Sequence, residues 1–195
     1  MRFHADGTCD PFRVEIVRGQ ASRILAIDPW TCTVLAPDGT HVVYVARPFA
    51  ADQTRLFIVP SDGSAGPLEL SSPTDPGSFV MQLEPLLTPD GARVVFISYP
   101  YLCSVPSDGS SAAIPLSSAS FPGRLELSPD GARVVYVSQQ DTPGKFELFS
   151  APVDGSTPFV KLNSVFAGGY TPEFLISPAG DRVAYIANQQ QPDRF

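Results

Sequence analysis

Residues 125–163 decide the fold: LELSPDGARVVYVSQQDTPGKFELFSAPVDGSTPFVKLN. This stretch contains four short runs of β-forming residues separated by turn residues. In Ser128-Pro-Asp-Gly131 the proline presets its own φ and the glycine accepts a positive φ, which is typical of a tight hairpin. Asp154-Gly-Ser156 predicts a second hairpin. We therefore predict a four-stranded antiparallel sheet, which cannot bury both of its faces alone.

Both turn motifs recur along the chain and stay in phase. The first turn motif, Pro-Asp-Gly, begins at Pro37, Pro89 and Pro129, and its variant Pro-Ala-Gly begins at Pro178, in steps of 52, 40 and 49 residues. The second turn motif, Asp-Gly-Ser, follows the Asp of the first by 24, 18 and 24 residues. These steps are near the 40 to 50 residues of a propeller blade. The predicted structural turn residues are Asp38, Gly39, Asp62, Gly63, Asp90, Gly91, Asp108, Gly109, Asp130, Gly131, Asp154 and Gly155.

The strands follow from these motifs. A strongly apolar β-rich run follows each first turn motif, at 41–46, 93–98, 133–138 and 182–187, as expected for a strand covered on both faces. Shorter strands are predicted before it at 33–36, 86–88, 125–128 and 174–177, third strands at 56–59, 102–105 and 147–151, and fourth strands at 68–70 and 159–162. Helical periodicity is missing from the sequence, so we predict an all-β protein, a β-propeller of four-stranded antiparallel blades.

The motif positions predict one propeller domain or fragment over residues 1–195. It comprises a partial blade at about 1–22, blades at about 30–72, 80–118 and 121–164, and a partial blade at about 170–195. In the first partial blade, residues 3–8 are interpreted as a second hairpin and 13–17 as a fourth strand. Two arrangements remain open. Either the terminal halves complete one blade of a four-bladed ring, or the chain is an open arc of a larger ring whose unpaired edges favour self-association.

The amino-acid composition limits the classes of partner that we expect. The net charge is −7 and the isoelectric point is near 4.7, which disfavours nucleic acid because the phosphate backbone would be repelled. We expect no signal peptide and no membrane span, since no apolar run reaches the required length. The three cysteines, Cys9, Cys32 and Cys103, are expected to be free thiols, with a disulfide between Cys9 and Cys32 as the alternative.

Motifs for catalysis or metal binding are missing from the sequence, so we expect a non-catalytic protein without cofactor or metal. A G-x-S-x-G motif is absent, and His41 stands where the sibling repeats carry arginine, as expected of a polar residue at a rim. Glu84, Glu126 and Glu173 are interpreted as solvated positions, with an acidic glycosidase-like channel as the alternative. Calcium at Asp141 or Asp193 is a further alternative, although each loop offers few oxygens.

The aromatic residues fall into two groups. Tyr44, Phe96, Tyr136 and Tyr185 share one repeat position and are predicted to pack between blades. Others interrupt the repeat in or beside connections, where binding residues concentrate. These candidates for a contact surface are Trp30, Phe49, Phe79, Tyr99, Tyr101 and Phe121.

Residues 127–138, 146–156 and 160–163 resemble the WD40-like repeat of the TolB-type β-propellers of bacteria, and the resemblance covers about residues 30–195. It implies a platform that binds a protein partner, in the cell envelope, in the periplasm or outside the cell. The repeats also resemble the propellers preceding the catalytic domain of prolyl-oligopeptidase-type serine peptidases. That alternative implies a substrate-gating role for this chain, with the catalytic domain beyond it.

The chain departs from the family pattern in three respects. Ala179 replaces the aspartate in the fourth copy of the first turn motif. The middle repeat has a shortened hairpin. The loops at 139–144 and 188–193 keep one Asp each, where many relatives are rich in Asp. A cation bound in these loops of relatives is therefore in doubt for this chain.

Overall fold

The computed structural model describes residues 12–18, 21–27, 34–35, 40–46, 53–71, 80, 85–118, 122–163 and 173–186. Within these ranges the regular secondary structure consists only of β-strands, and all strand pairs are antiparallel. The predicted all-β class is therefore confirmed. A helix with the length and apolarity needed to cross a membrane is absent from the ranges given above.

The described strands form five sheets. The first is a two-stranded sheet of β1 (Phe12–Arg18) and β2 (Ala21–Ile27). Sheet I contains β3 (Val34–Leu35), β4 (His41–Ala46), β5 (Arg55–Pro60) and β6 (Leu68–Glu69). Sheet II contains β7 (Leu86–Leu87), β8 (Arg93–Ser98), β9 (Tyr101–Pro106) and β10 (Ile114–Pro115). Sheet III contains β11 (Pro122–Leu127), β12 (Arg133–Ser138), β13 (Glu147–Pro152) and β14 (Val160–Lys161). Pair IV contains β15 (Glu173–Ile176) and β16 (Val183–Ile186).

Sheets I to III repeat one register. Each is a meander in which sequence order equals spatial order. Tyr44 lies opposite Phe57 in sheet I, Phe96 opposite Cys103 in sheet II, and Tyr136 opposite Phe149 in sheet III. Because side chains alternate between the two faces along a strand, the shared register places equivalent residues on the same face of each sheet.

The sheets pack front to back. We call the face that carries Tyr136 and Phe149, and its equivalents, the front face, and the opposite face the back face. The back face of sheet I packs on the front face of sheet II, the back of sheet II on the front of sheet III, and the back of sheet III on the front of pair IV. Valine and isoleucine line each back face. The pairs are Val43 and Val45, Val95 and Ile97, and Val135 and Val137.

The structure differs from the predicted strands most clearly at two places. The strand Ala21–Ile27, paired with β1, was not predicted, and the predicted boundary of the first partial blade at about residue 22 falls inside it. Strand β11 begins at Pro122, three residues earlier than predicted, with a register shift between Pro122 and Leu125. The hairpin predicted at residues 3–8 lies outside the described residues.

Candidate functional site

The first turn motif forms the same hairpin in sheets II and III. In sheet III the N–H of Gly131 donates to the Ser128 carbonyl at 2.8 Å, and the glycine has a φ of 71°. The Ser128 hydroxyl donates to Asp130 Oδ1 at 2.6 Å, and the same carboxylate oxygen accepts the Ala132 N–H at 3.0 Å. The Arg133 N–H donates to the Ser128 hydroxyl at 2.9 Å. Hydrogen bonds from the side chains of the turn therefore stabilise the hairpin.

Sheet II copies this geometry with threonine in place of serine. The Thr88 hydroxyl donates to Asp90 Oδ1 at 2.5 Å, and the Ala92 N–H donates to the same oxygen at 3.0 Å. Gly91 has a φ of 72°. Asp38 and Gly39, the corresponding residues of sheet I, lie outside the described residues.

Pair IV keeps the hairpin without the aspartate of the motif. The Ser177 hydroxyl donates to Asp181 Oδ1 at 2.8 Å, and Gly180 has a φ of 74°. Asp181 stands where the other two hairpins carry alanine, so the carboxylate has moved to the other side of the glycine. The loss of the aspartate at Ala179 is evident in the sequence, whereas its replacement by Asp181 was not predicted. The sequence shows this replacement as Pro-Ala-Gly-Asp at residues 178–181, where sheets II and III have Pro-Asp-Gly-Ala.

The second turn motif is equally regular. The aspartate Oδ1 accepts the N–H of the serine two residues later, at 2.8 Å for Asp62 and 2.9 Å for Asp108 and Asp154. Each glycine has a positive φ, 66° at Gly63, 67° at Gly109 and 69° at Gly155. These are Asx turns, in which a short carboxylate replaces a backbone acceptor.

Hydrogen bonds lower the pKa values of these carboxyl groups. The Thr88 and Ser128 hydroxyls, followed by backbone N–H groups, lower the pKa of Asp90 and of Asp130. The N–H groups of Ser110 and Ser156 lower the pKa of Asp108 and of Asp154. A carboxylate held ionised by hydrogen bonds within its own turn is a poor general base.

Successive turns also touch one another across the sheets. Strands one and three of each sheet run in the same direction, so both turn motifs lie at one end, which we call the turn rim. A Cβ atom on Gly131 would lie 2.6 Å from Pro89 Cδ, and one on Gly180 would lie 3.4 Å from Pro129 Cδ. A Cβ atom on Gly155 would lie 2.6 Å from Ile114 Cδ1. At Gly131 the neighbouring atom belongs to a proline ring, so glycine is required there for contact between sheets as well as for its φ.

The opposite end, which we call the loop rim, carries an ion pair whose charges are reversed between sheets. In sheet I Arg55 Nη1 donates to Glu69 Oε1 at 2.9 Å. In sheet III Lys161 Nζ donates to Glu147 Oε1 at 2.6 Å. Arg55 and Glu147 begin equivalent strands, and Glu69 and Lys161 lie opposite the equivalent Phe57 and Phe149. Both pairs are separated by 14 residues, a signal that the sequence analysis did not use.

Glu147 is the most deeply buried charged group of the described residues. Its side chain is fully buried, and Asp141 Oδ2 lies 3.4 Å from the same lysine nitrogen. Ser138 lies opposite Glu147 in the strand register. Glu147 Oε2 and the Ser138 hydroxyl are buried and have no hydrogen-bond partner among the residues that the structure describes. Asp141, the calcium alternative of the sequence analysis, is thus engaged by Lys161, whereas Asp193 lies outside the described residues.

Arginine and serine form a second recurring pair at the turn rim. Arg93 Nε donates to Ser104 Oγ at 2.9 Å, and Arg133 Nε donates to Ser150 Oγ at 2.8 Å. In sheet I His41 and Ile58 take these two positions. The imidazole Nδ1 of His41 lies 2.8 Å from Thr40 Oγ1 instead. His41 therefore occupies the position that a structural arginine takes in sheets II and III.

The structure places two of the six off-repeat aromatic residues. Tyr99 lies in the tight connection between β8 and β9, with 41% of its surface exposed. Tyr101 begins β9, at the position of Arg55 and Glu147, and packs against the core between sheets I and II. Trp30, Phe49, Phe79 and Phe121 lie outside the described residues. Tyr99 is thus the candidate for which the structure gives an exposed side chain.

The repeated aromatic residues pack in the core. The ring centroids are 5.5 Å apart for Tyr44 and Phe57 and 5.7 Å apart for Tyr136 and Phe149. The hydroxyl of Tyr136 donates to the Leu116 carbonyl at 3.3 Å, and burial raises the pKa of this tyrosine. Cys103, opposite Phe96, is a buried free thiol whose pKa is raised by burial to about 11. Cys9 and Cys32 lie outside the described residues.

The glutamates proposed for an acidic channel do not share one repeat position. Glu126 lies opposite Val135, whereas Glu173 lies opposite Ile186, two positions further from its turn. Glu126 forms an ion pair with Arg124. Glu84 lies outside the described residues. Groups of three or more side chains able to hold a metal ion are absent where the structure describes the chain.

Comparison with known proteins shows likeness in solved structures. Family models and curated proteins give no match. Fifty-two chains of solved structures match. Among them is a functionally unknown protein from Desulfotomaculum acetoxidans DSM 771, with 12% sequence identity and a TM-score of 0.48. The match covers 95% of this chain and 61% of that one, so this chain spans less than two thirds of that protein's length.

Proposed function

We propose that the sheets are blades of a β-propeller and that the chain is a non-catalytic, TolB-like module that binds a protein partner through the loop rim. The front-to-back packing of sheets I, II and III and pair IV, with equivalent residues at each interface, supports the arrangement. Sheets stacked in this way hold their connections on a rigid support, which suits recognition by loops.

One observation carries the non-catalytic part of the proposal. The recurring carboxylates of Asp90, Asp108, Asp130 and Asp154 each accept hydrogen bonds within their own turn. Their lowered pKa values keep them ionised and occupied. The turn rim is therefore used for folding, and we place partner binding at the opposite rim.

Tyr99 marks the loop rim as the side for a partner. Its ring is exposed in a connection of only two residues, 99 and 100, between two well-paired strands, so little entropy is lost when it is covered. Tyrosine offers a large apolar surface with one polar end, which favours it at protein interfaces. An exposed tyrosine on a rigid turn is a suitable anchor for recognition.

Site-specific photocrosslinking tests the proposal. A photoreactive amino acid is placed at Tyr99 on the loop rim and, as the matched control, at the exposed Ser110 on the turn rim. We expect one discrete protein adduct from position 99 in the native host and none from position 110. Tyr99→Ala should then weaken binding of the purified partner about tenfold or more. Equal adducts at both positions, or undiminished binding by Tyr99→Ala, would contradict the proposed surface.

A further inference from the structure

No described element packs on the back face of pair IV. Glu173, Leu175, Ala184 and Ile186 line it and are all exposed. Leu175 is 68% exposed and Ile186 is 77% exposed, the two largest values among the exposed large hydrophobic residues. Their neighbours in sequence, Phe174 and Tyr185, point the other way and pack on sheet III. Three apolar side chains thus form an exposed patch on a single sheet face.

The equivalent face is covered three times in this chain. Ile186 corresponds to Val45, Ile97 and Val137 of sheets I, II and III, which are exposed by 1%, 2% and 0%. In each case the front face of the next sheet does the covering. The exposed patch is therefore a continuation of an interface that the fold already uses.

The front face of sheet I is the complementary surface. Val42, Tyr44, Phe57 and Val59 line it, in the same register as the front-face residues of sheet III. Tyr136 and Phe149 are fully buried by sheet II, whereas Tyr44 and Phe57 are only partly buried. Val42, near the turn end, is buried, so the accessible part of this face is centred on the Tyr44–Phe57 stack.

We propose that the back face of pair IV binds the front face of sheet I of a second copy, so that the chain self-associates head to tail. The interface would repeat the packing of sheet III on pair IV, with Leu175 and Ile186 against the stacked rings of Tyr44 and Phe57. Because the two surfaces differ, the association is heterologous and builds a closed ring of copies or an open filament. This inference goes beyond the proposed function, which concerns the loop rim.

Sedimentation equilibrium of the purified full chain tests the association. We expect a mass above that of one chain, which falls on dilution. Ile186→Asp places a charge in the patch and should raise the dissociation constant at least about tenfold. Val160→Asp is the matched control, because Val160 is 49% exposed on the last strand of sheet III and belongs neither to the back face of pair IV nor to the front face of sheet I. Circular dichroism verifies that both variants fold.

Crosslinking identifies the occupant. A photoreactive amino acid at position 186 is used in an equal mixture of nitrogen-15-labelled and unlabelled chains. Adducts that join position 186 to the strand at 55–60 and combine both isotopes support the proposal. Three results would overturn it: a single-chain mass at every concentration, equal association by Ile186→Asp and Val160→Asp, or adducts that combine only like isotopes. The last result would mean that the patch is covered from within its own chain.

Discussion

Gly131 of sheet III lies directly against Pro89 of sheet II. A Cβ atom at Gly131 would be 2.6 Å from Pro89 Cδ, 3.3 Å from Thr88 Cβ and 3.5 Å from the Pro89 nitrogen. Proline cannot move aside as a flexible side chain does, because its ring is fixed to the backbone. The proline and the glycine of the motif thus each help to close a hairpin within their own sheet, and their contact fixes the distance between neighbouring sheets.

Gly131→Ala should destabilise the protein more than Gly144→Ala. Both glycines have a positive φ, 71° and 78°, so alanine costs about 1 kcal/mol at either site for the backbone conformation. Only Gly131 has atoms within 4 Å of the added Cβ, which adds about 1–3 kcal/mol of overpacking. Urea denaturation of the two variants measures the difference. Equal free energies of unfolding would show that the contact between turns is unimportant.

Acid should unfold the protein through its turn aspartates. The pKa values of Asp90, Asp108, Asp130 and Asp154 are lowered in the folded state. Around pH 4 the unfolded chain therefore binds more protons than the folded chain, and stability falls as the pH decreases through the folded pKa values. A variant with all four residues changed to asparagine should be less stable than the wild type at neutral pH.

The difference between the two proteins should shrink as the pH falls below about 4, since the wild-type carboxylates are then protonated as well. Thermal unfolding followed at a series of pH values tests this. If the two stability curves remain parallel over the acidic range, the turn carboxylates are not the source of the pH dependence.

The two reversed ion pairs should differ in strength because they differ in burial. Glu147→Gln leaves Lys161 without its buried partner and should cost about 3 kcal/mol. Glu69→Gln, the matched change in sheet I, breaks a pair whose side chains are about 30% exposed and should cost less than about 1 kcal/mol. Chemical denaturation provides both values. A double-mutant cycle with Lys161→Met isolates the coupling in sheet III, and a coupling no larger than that of Arg55 and Glu69 would contradict the argument.

The sequence predicted the turns and central strands well, because local chemistry decides them. Proline, aspartate and glycine at fixed offsets specify one hairpin, and His41–Ala46, Arg93–Ser98 and Arg133–Ser138 begin and end as predicted. The strand Ala21–Ile27 was missed, since alanine, serine and arginine are weak strand formers and its pairing depends on β1.

The ion pairs could not be predicted from local patterns. Glu147 and Lys161 meet only because Lys161 lies opposite Phe149 in the strand register, on the same face as Glu147. The same register brings Arg55 to Glu69 with the charges exchanged, so residue identity is not repeated although the contact is. A search for repeated residue types therefore overlooks a repeated interaction.

Cys103 should report on opening of the interface between sheets I and II. Its thiol is buried and burial raises its pKa to about 11, so at neutral pH the reactive thiolate is scarce and inaccessible. We expect slow alkylation of Cys103 in the native protein and rapid alkylation in urea, measured by mass spectrometry of the peptide containing residue 103. Val45→Ala, which removes a buried side chain from this interface, should accelerate labelling, whereas Val137→Ala, at the interface of sheet III with pair IV, should accelerate it less. Equal acceleration by both variants would show that the sheets open as one unit instead of interface by interface.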